Sequence, residues 1–161
     1  MKPNLTTSFL DYFLKKDLKN KTLLEIGSGD SFLFWRKIFK TVYAYEDSKE
    51  YFIKGMFQLD KYYQNNKFLK KHIEDSDYVI IDNNPNNGIT RYDFVCFLLK
   101  QINKDIIIIL DNSNMHMKAN NLLTSIYFNK DFPGLNKNKE ITVTSIFKTK
   151  KDTYPFAKGT D

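Results

Sequence analysis

Apolar residues in this chain cluster with two different periods. Leu23-Leu24-Glu25-Ile26, Tyr78-Val79-Ile80-Ile81 and the run from Ile106 to Leu110 are short and almost continuous, as in strands covered on both faces. Thr41-Val42-Tyr43-Ala44-Tyr45-Glu46-Asp47 reads as a further strand ending in two acids, and residues 140–148 alternate as a final strand. Helical spacing fills the intervals. Residues 5–18 carry Phe9, Leu10, Phe13 and Leu14 on one stripe, with Thr6 or Thr7 as the cap. Residues 31–39 continue the pattern. Asp47 and Glu50 have capping-box spacing for a helix bearing Tyr51, Phe52, Met56 and Leu59, weakened by Gly55. Thr90, with Asp93 three residues on, opens a helix to residue 102, and residues 115–127 form another with Leu122, Leu123 and Ile126 inward. Phe132-Pro133-Gly134-Leu135 reads as a turn after a short strand.

The chain is organised around the junction after the first strand. Gly27 and Gly29 allow a tight turn and close approach of a ligand to the backbone, and a helix follows at once. Strand, glycine turn, helix is the first unit of a doubly wound sheet. A dinucleotide fingerprint needs a third glycine, and position 32 is Phe, so that pattern fails. The expected fold is α/β: a doubly wound, mostly parallel sheet with helices on both faces and an antiparallel C-terminal hairpin strand. Residues 61–77 are too few for a full third strand and helix. The strand there is very short, or the unit is trimmed to one helix around 68–73.

At 161 residues a single domain spanning 1–161 is expected, with a leading helical segment at 1–20 and a loosely held tail at 149–161. The net charge of +6 permits an anionic partner. Lys and Asn are spread along the whole chain beside Ile, Phe and Tyr, a bias that an AT-rich genome also produces, so the charge is discounted as a functional signal. Cys96 is the single cysteine, which excludes an internal disulfide framework and a multi-cysteine zinc site and fits a reducing, cytoplasmic setting. No apolar run approaches a membrane span, and the first residues lack a signal-peptide layout.

Several stretches then match one family in order. Glu25, Gly27 and Gly29 resemble motif I of the class I, Rossmann-like, S-adenosylmethionine-dependent methyltransferases. Gly27-Ser28-Gly29-Asp30-Ser31 followed by Leu33-Phe34-Trp35 is similar to the first loop and helix of a small, single-domain group among them. Glu46-Asp47 resembles the acidic motif that holds the ribose. Ile81-Asp82 with Arg91, Leu110-Asp111-Asn112-Ser113, and Asp131-Phe132-Pro133-Gly134-Leu135 with Thr144-Ser145-Ile146-Phe147 resemble the fourth-strand motif, the fifth-strand ending and the closing hairpin. The likeness covers residues 20–148. It departs in the short region between Leu59 and Tyr78, and in lacking the Asn/Asp-Pro-Pro-aromatic motif of amino-methylating enzymes: Asp82-Asn83-Asn84-Pro85-Asn86 has one proline and no aromatic.

The resemblance implies S-adenosylmethionine as cofactor and no metal. Glu25, Gly27, Ser28, Gly29, Asp30, Ser31, Glu46, Asp47, Asp82 and Asn83 are the implied cofactor-binding residues. Glu46 would take both ribose hydroxyls; a helix-capping acid is the alternative, and Asp47 suits the cap better. Glu25 would orient the glycine loop by accepting its amides. Asp82 is the second candidate catalytic residue: it would hold the cofactor ammonium, orient the methyl acceptor or take its proton, or else form a turn ahead of Asn83. Arg91 could bind an acidic substrate as a fork, and its charge opposes the helix dipole there. Asp111 and Ser113 would face the acceptor, and His116 is the candidate general base beside Asp82. His72 and Trp35 read as a solvated residue and a packing residue. The implied reaction is methyl transfer to oxygen or nitrogen of a small molecule. A S-adenosylmethionine-binding protein without transfer is a second reading. Nucleic-acid binding through Lys61-Tyr62-Tyr63 and Lys67-Phe68-Leu69-Lys70-Lys71 is a third. No membrane partner is expected, and a homo-oligomer is left open.

Overall fold

The computed structural model describes residues 2–148; the tail expected at 149–161 lies outside the described residues. Seven strands form one sheet in the order β3-β2-β1-β4-β5-β7-β6. β1 (Thr22–Ile26), β2 (Thr41–Glu46), β3 (Phe57–Gln58), β4 (Tyr78–Ile81) and β5 (Ile107–Leu110) are parallel, while β7 (Ile141–Lys148) runs antiparallel to β5 and to β6 (Phe128–Leu135). This is the doubly wound sheet with an antiparallel hairpin that the pattern predicts.

The near-continuous apolar runs arise because both faces are covered. Side chains alternate across each strand. Leu23, Tyr78, Ile80 and Ile109 turn to one face, under α1 (Thr7–Phe13) and α2 (Ser31–Trp35), with Phe9, Phe13, Trp35 and Phe39. Leu24, Ile26, Val79, Ile81, Ile108 and Leu110 turn to the other. There they meet Leu69 and Ile73 of α3 (Lys67–Asp75), Phe94 and Leu98 of α4 (Arg91–Gln101), and Leu123 of α5 (Met117–Ile126). Thr6 caps α1 by accepting from Phe9 N, and Thr90 caps α4 by accepting from Asp93 N. α1 is shorter than expected, and Leu14 lies outside it, 43% exposed.

The expected helix after β2 is absent. Glu46 Oε1 accepts from the amides of Asp47 and Ser48, the groups a helix cap would need, and Gly55 adopts φ +103. Asp47 is therefore not a helix cap. The segment is a loop ending in the two-residue β3, so the third strand is very short and lies earlier than the 61–77 window, which holds α3. Phe132 to Leu135 is strand, not turn. β6 is the sheet's outer strand, where a proline need not donate, and Pro133 pairs with Val143. His72 is buried, stacked on Tyr43 with centroids 3.7 Å apart, and its Nδ1 meets Tyr45 Oη at 2.8 Å. It is not the solvated residue expected. Among the described residues, no helix is long and apolar enough to cross a membrane.

Candidate active site

The chain leaves β1 toward β2 and β3, then returns to β4 on β1's other side. The crevice at such a reversal, outside the carboxyl ends of the strands, is where doubly wound folds bind ligands. A groove of about 520 Å³ opens there. It is lined by the β1–α2 loop from Gly27 to Ser31, by Glu46 at the end of β2 and by Asp82 at the end of β4. The volume lies within the usual range for small-molecule sites.

Gly27 makes this approach of elements feasible. Its φ is +78, and a Cβ built on it would lie 2.2 Å from Asn83 Cα and 2.4 Å from Asn83 N. The β1 and β4 loops thus touch backbone to backbone. Gly29, at φ +50, meets less: the same atom would lie 3.7 Å from Tyr51 Cβ. Gly29 N donates to Glu46 Oε2 at 2.9 Å, so the acid of β2 and the glycine loop are joined directly. Glu46 Oε1 is filled by the Asp47 and Ser48 amides, at 3.0 and 2.9 Å. Of the carboxylate's roughly four acceptor positions, the one left open is on Oε2. A sugar diol therefore does not find the two free oxygens the sequence reading expects. Burial raises the Glu46 carboxyl and the neighbouring Asp47 adds to this, against the Ser48 and Gly29 amides.

Glu25 lies under the loop, 1% exposed. It accepts from the hydroxyls of Ser28 and Ser31 and from Trp35 Nε1 at 3.1 Å, not from loop amides. It braces the loop from below rather than reaching the groove. Burial pushes its carboxyl up to about 8, against those three donors. Trp35 is fully buried as a packing residue.

On the β4 side, Arg91 is buried and its guanidinium is committed inward. It donates to the carbonyls of Asn83 at 3.0 Å and Asp111, and to Asp82 Oδ1 at 3.2 Å. It is an internal clamp between the β4 and β5 ends, not an open fork for an acidic substrate. Its partners offset the unfavourable helix dipole. Asp82 lines the groove; burial raises it, while Arg91 and Lys137 pull it down. Asp111 is fully buried, bonded to Thr144 Oγ1 at 3.0 Å, and burial beside Asp82 pushes it up to about 8. Ser113 is held by Val143 O and Ser145 Oγ. Neither Asp111 nor Ser113 lines the groove. Asn83 is likewise enclosed, its Nδ2 bonded to Ile89 O, and Asp47's carboxylate is buried without a partner. His116 lines a separate cleft of about 230 Å³ with Pro85, Tyr92 and Met115. Burial, helped by Arg91, holds it down to about 4, so it is a weak base placed away from Asp82's groove.

Of the implied residues, Gly27, Ser28, Gly29, Asp30, Ser31, Glu46 and Asp82 converge on the groove. Asn4, Ser48, Glu50, Tyr51, Asn84, Asn87 and Lys137 join them and were not singled out from sequence. Glu50 and Tyr51 were hidden by the helix expected after β2. Asn4 and Lys137 arrive from distant segments, which no local pattern reveals. Among the described lining residues, Asp30, Glu46, Glu50 and Asp82 face a single base, Lys137. On a chain of net charge +6, the groove is an acidic exception suited to a cationic ligand.

The raised carboxyls make a pH prediction. Glu25 and Asp111 ionise near 4 in an unfolded chain but at about 8 when folded. Between those values the folded state binds more protons, so stability falls as pH rises. His116, held down to about 4, acts oppositely but only below its ordinary value near 6.5. Between pH 6.5 and 8, urea-unfolding stability should fall by about 1.4 kcal/mol per pH unit for each carboxyl. Glu25→Gln should make the decline shallower. A flat or rising profile contradicts the assignment.

No protein-family model and no curated protein matches the sequence. Solved structures do match. The precorrin-6y C5,15-methyltransferase of Geobacter metallireducens GS-15 aligns with a TM-score of 0.54 at 15% identity, covering 87% of each chain. The Bacillus cereus O-methyltransferase, solved with SAH, aligns at 0.56 and 13% identity over 89% of this chain and 80% of its own. The E. cuniculi Mtq2–Trm112 complex, described as methylating the eRF1 termination factor, aligns at 0.54 and 15% identity over 93% and 98%. The chain has the fold of the class I S-adenosylmethionine-dependent methyltransferases.

Proposed function

We propose that this protein binds S-adenosylmethionine in the groove above β1, β2 and β4 and transfers its methyl group to oxygen or nitrogen of a small molecule in the cytoplasm. The observation that carries the reading is the direct junction of the Gly27–Gly29 loop with Glu46 beside an open, acidic crevice at the strand-order reversal. The residues suit a sulfonium nucleoside. Gly29 leaves its Cβ direction free of close contacts, so a ligand can lie against the loop backbone. Glu46 keeps one acceptor position for a ribose hydroxyl. The acids favour a positive centre and disfavour the pyrophosphate of a dinucleotide.

When bound, the cofactor supplies an already activated methyl group. The chain's own task is alignment and exclusion of water, and positioning can supply about 7 kcal/mol or more. Asp82, held by Arg91, is the residue placed to orient the acceptor or take its proton. His116 is not needed for this and is not placed for it. Incubation with S-adenosylmethionine and a panel of small phenols, acids and amines should release S-adenosylhomocysteine above the acceptor-free background for at least one class. Release with RNA or a protein alone would transfer the reading to macromolecular acceptors. Binding with no release for any acceptor would leave the second reading, a binding protein without transfer.

A further inference from the structure

Two stretches interleave lysines with aromatics, Lys61-Tyr62-Tyr63 and Lys67-Phe68-Leu69-Lys70-Lys71, and methyl transfer uses neither. The fold sorts them into inward and outward positions. A 3₁₀ turn at Tyr63–Asn65 joins them. Tyr63 is buried against Phe94 and Phe97, and Leu69 is buried in the core. Asn66 accepts from the amides of Phe68 and Leu69 and fixes where α3 begins. With these anchors inside, their neighbours face solvent: Tyr62 is 64% exposed and Phe68 71%. Phe57 continues the surface from β3, the sheet's other outer strand, and is exposed as well. Its ring centroid lies 4.9 Å from that of His72, which sits one helical turn beyond Phe68. Three exposed rings thus lie along the β3–α3 edge, and none of them lines the groove.

The charge follows the rings. Lysine is spread along the chain, but the excess of base over acid is not. Residues 49–71 hold six lysines against Glu50 and Asp60, a net +4 of the chain's +6. Glu50 lines the groove, and Asp60 Oδ1 accepts from the Tyr62 amide. Lys54, Lys61 and Lys67 are exposed, and Lys61 Nζ lies 5.2 Å from the centroid of the Tyr62 ring. Among the described residues, Lys71 pairs with Asp75, while Lys54, Lys61 and Lys67 pair with no carboxylate. Such an excess repels a second copy of the chain. An acidic peptide would answer the lysines but not the rings. Single-stranded nucleic acid answers both at every step, with a phosphate for a lysine and an unpaired base for a ring.

We propose that the β3–α3 edge binds single-stranded nucleic acid, with Lys54, Lys61 and Lys67 taking phosphates and Phe57, Tyr62 and Phe68 stacking on bases. This goes beyond the methyl-transfer reading and does not depend on it.

The test is fluorescence anisotropy with the full chain and a labelled oligouridylate of about 12 nucleotides, its DNA counterpart and a duplex of equal length. The single strands should bind and the duplex more weakly, because its bases are stacked inside; the tighter of RNA and DNA identifies the source. The log–log salt slope should be about −2, as for three phosphate contacts on a single strand. Lys54→Gln, Lys61→Gln and Lys67→Gln combined should weaken binding by about tenfold or more and flatten the slope. Tyr62→Ala and Phe68→Ala should each weaken it by about 5- to 100-fold with the slope unchanged. Neither should alter S-adenosylmethionine affinity, since neither side chain lines the groove. Removing the same charge on the α1–α2 side, by Lys15→Gln, Lys37→Gln and Lys40→Gln, should leave binding nearly intact. Equal loss in that control, equal affinity for the duplex, or full affinity in both aromatic variants overturns the proposal. So does absence of binding by the folded chain at low salt. Displacement of the RNA by polyglutamate at matched charge would assign the edge to an acidic protein instead. Each of these outcomes leaves the cofactor reading standing.

Discussion

Glu46→Ala should weaken S-adenosylmethionine binding by about 10- to 100-fold, the loss expected when a hydrogen bond to a charged acceptor is removed. The carboxylate has two jobs. Its Oε2 receives Gly29 N and retains the one open acceptor position, and its Oε1 ties down the amides of Asp47 and Ser48. Alanine removes both, so some stability is lost as well. Glu46→Gln separates them. An amide side chain can still accept from Asp47 and Ser48 at one end, but it presents an N–H₂ group to Gly29 N and to the ligand at the other. The variant should stay folded, melting lower by the lost Gly29 bond but above the alanine form, and bind as poorly as the alanine form. Native affinity in Glu46→Gln would mean that the groove's ligand does not use this acid.

Gly27→Ala should cost about 4 kcal/mol or more and prevent stable folding, because two penalties coincide. The left-handed conformation at φ +78 is strained for any side chain, by about 1–2 kcal/mol. The added Cβ would also overlap the Asn83 backbone at 2.2 Å. Backbone cannot rotate away as a side-chain tip can, so β1 and β4 would have to part. Their pairing runs from Leu23 with Tyr78 to Ile26 with Ile81, in the middle of the sheet. Gly29→Ala is the control. It carries the left-handed strain at φ +50 but only an ordinary contact with Tyr51, so it should fold and melt slightly lower. Thermal unfolding of the two variants side by side reads the difference. Equal melting temperatures would show that the β1 and β4 loops are not packed as described.

What the chain disclosed in advance was the information carried by neighbouring residues. The run Leu23 to Ile26, two glycines and an immediate helix specify the first unit because strand, turn and helix are each written locally. Acids that end β2 and β4 could be placed on the crevice for the same reason. The segment after β2 misled because Asp47 and Glu50 imitate a capping box, while the deciding contact, Glu46 onto the Asp47 and Ser48 amides, depends on where β2 stops. Tyr51 and Phe52 fit a helical stripe by spacing yet are 54% and 40% exposed, so spacing alone did not identify core. Arg91 looked like a ligand-binding fork because its partners, the carbonyls of Asn83 and Asp111, come together only when β4 and β5 pair. The lysine-rich neighbours of His72 imply a solvated side chain, but α3 turns it onto Tyr43 and Tyr45. Lys137 and Asn4 stand far apart in the chain and meet at one wall only through the hairpin.

Isothermal titration of the full chain with S-adenosylmethionine addresses the core assertion most directly. The geometry predicts one site per chain, with heat abolished or greatly reduced in Glu46→Gln. A protein that melts cooperatively yet takes up none of this ligand would contradict it.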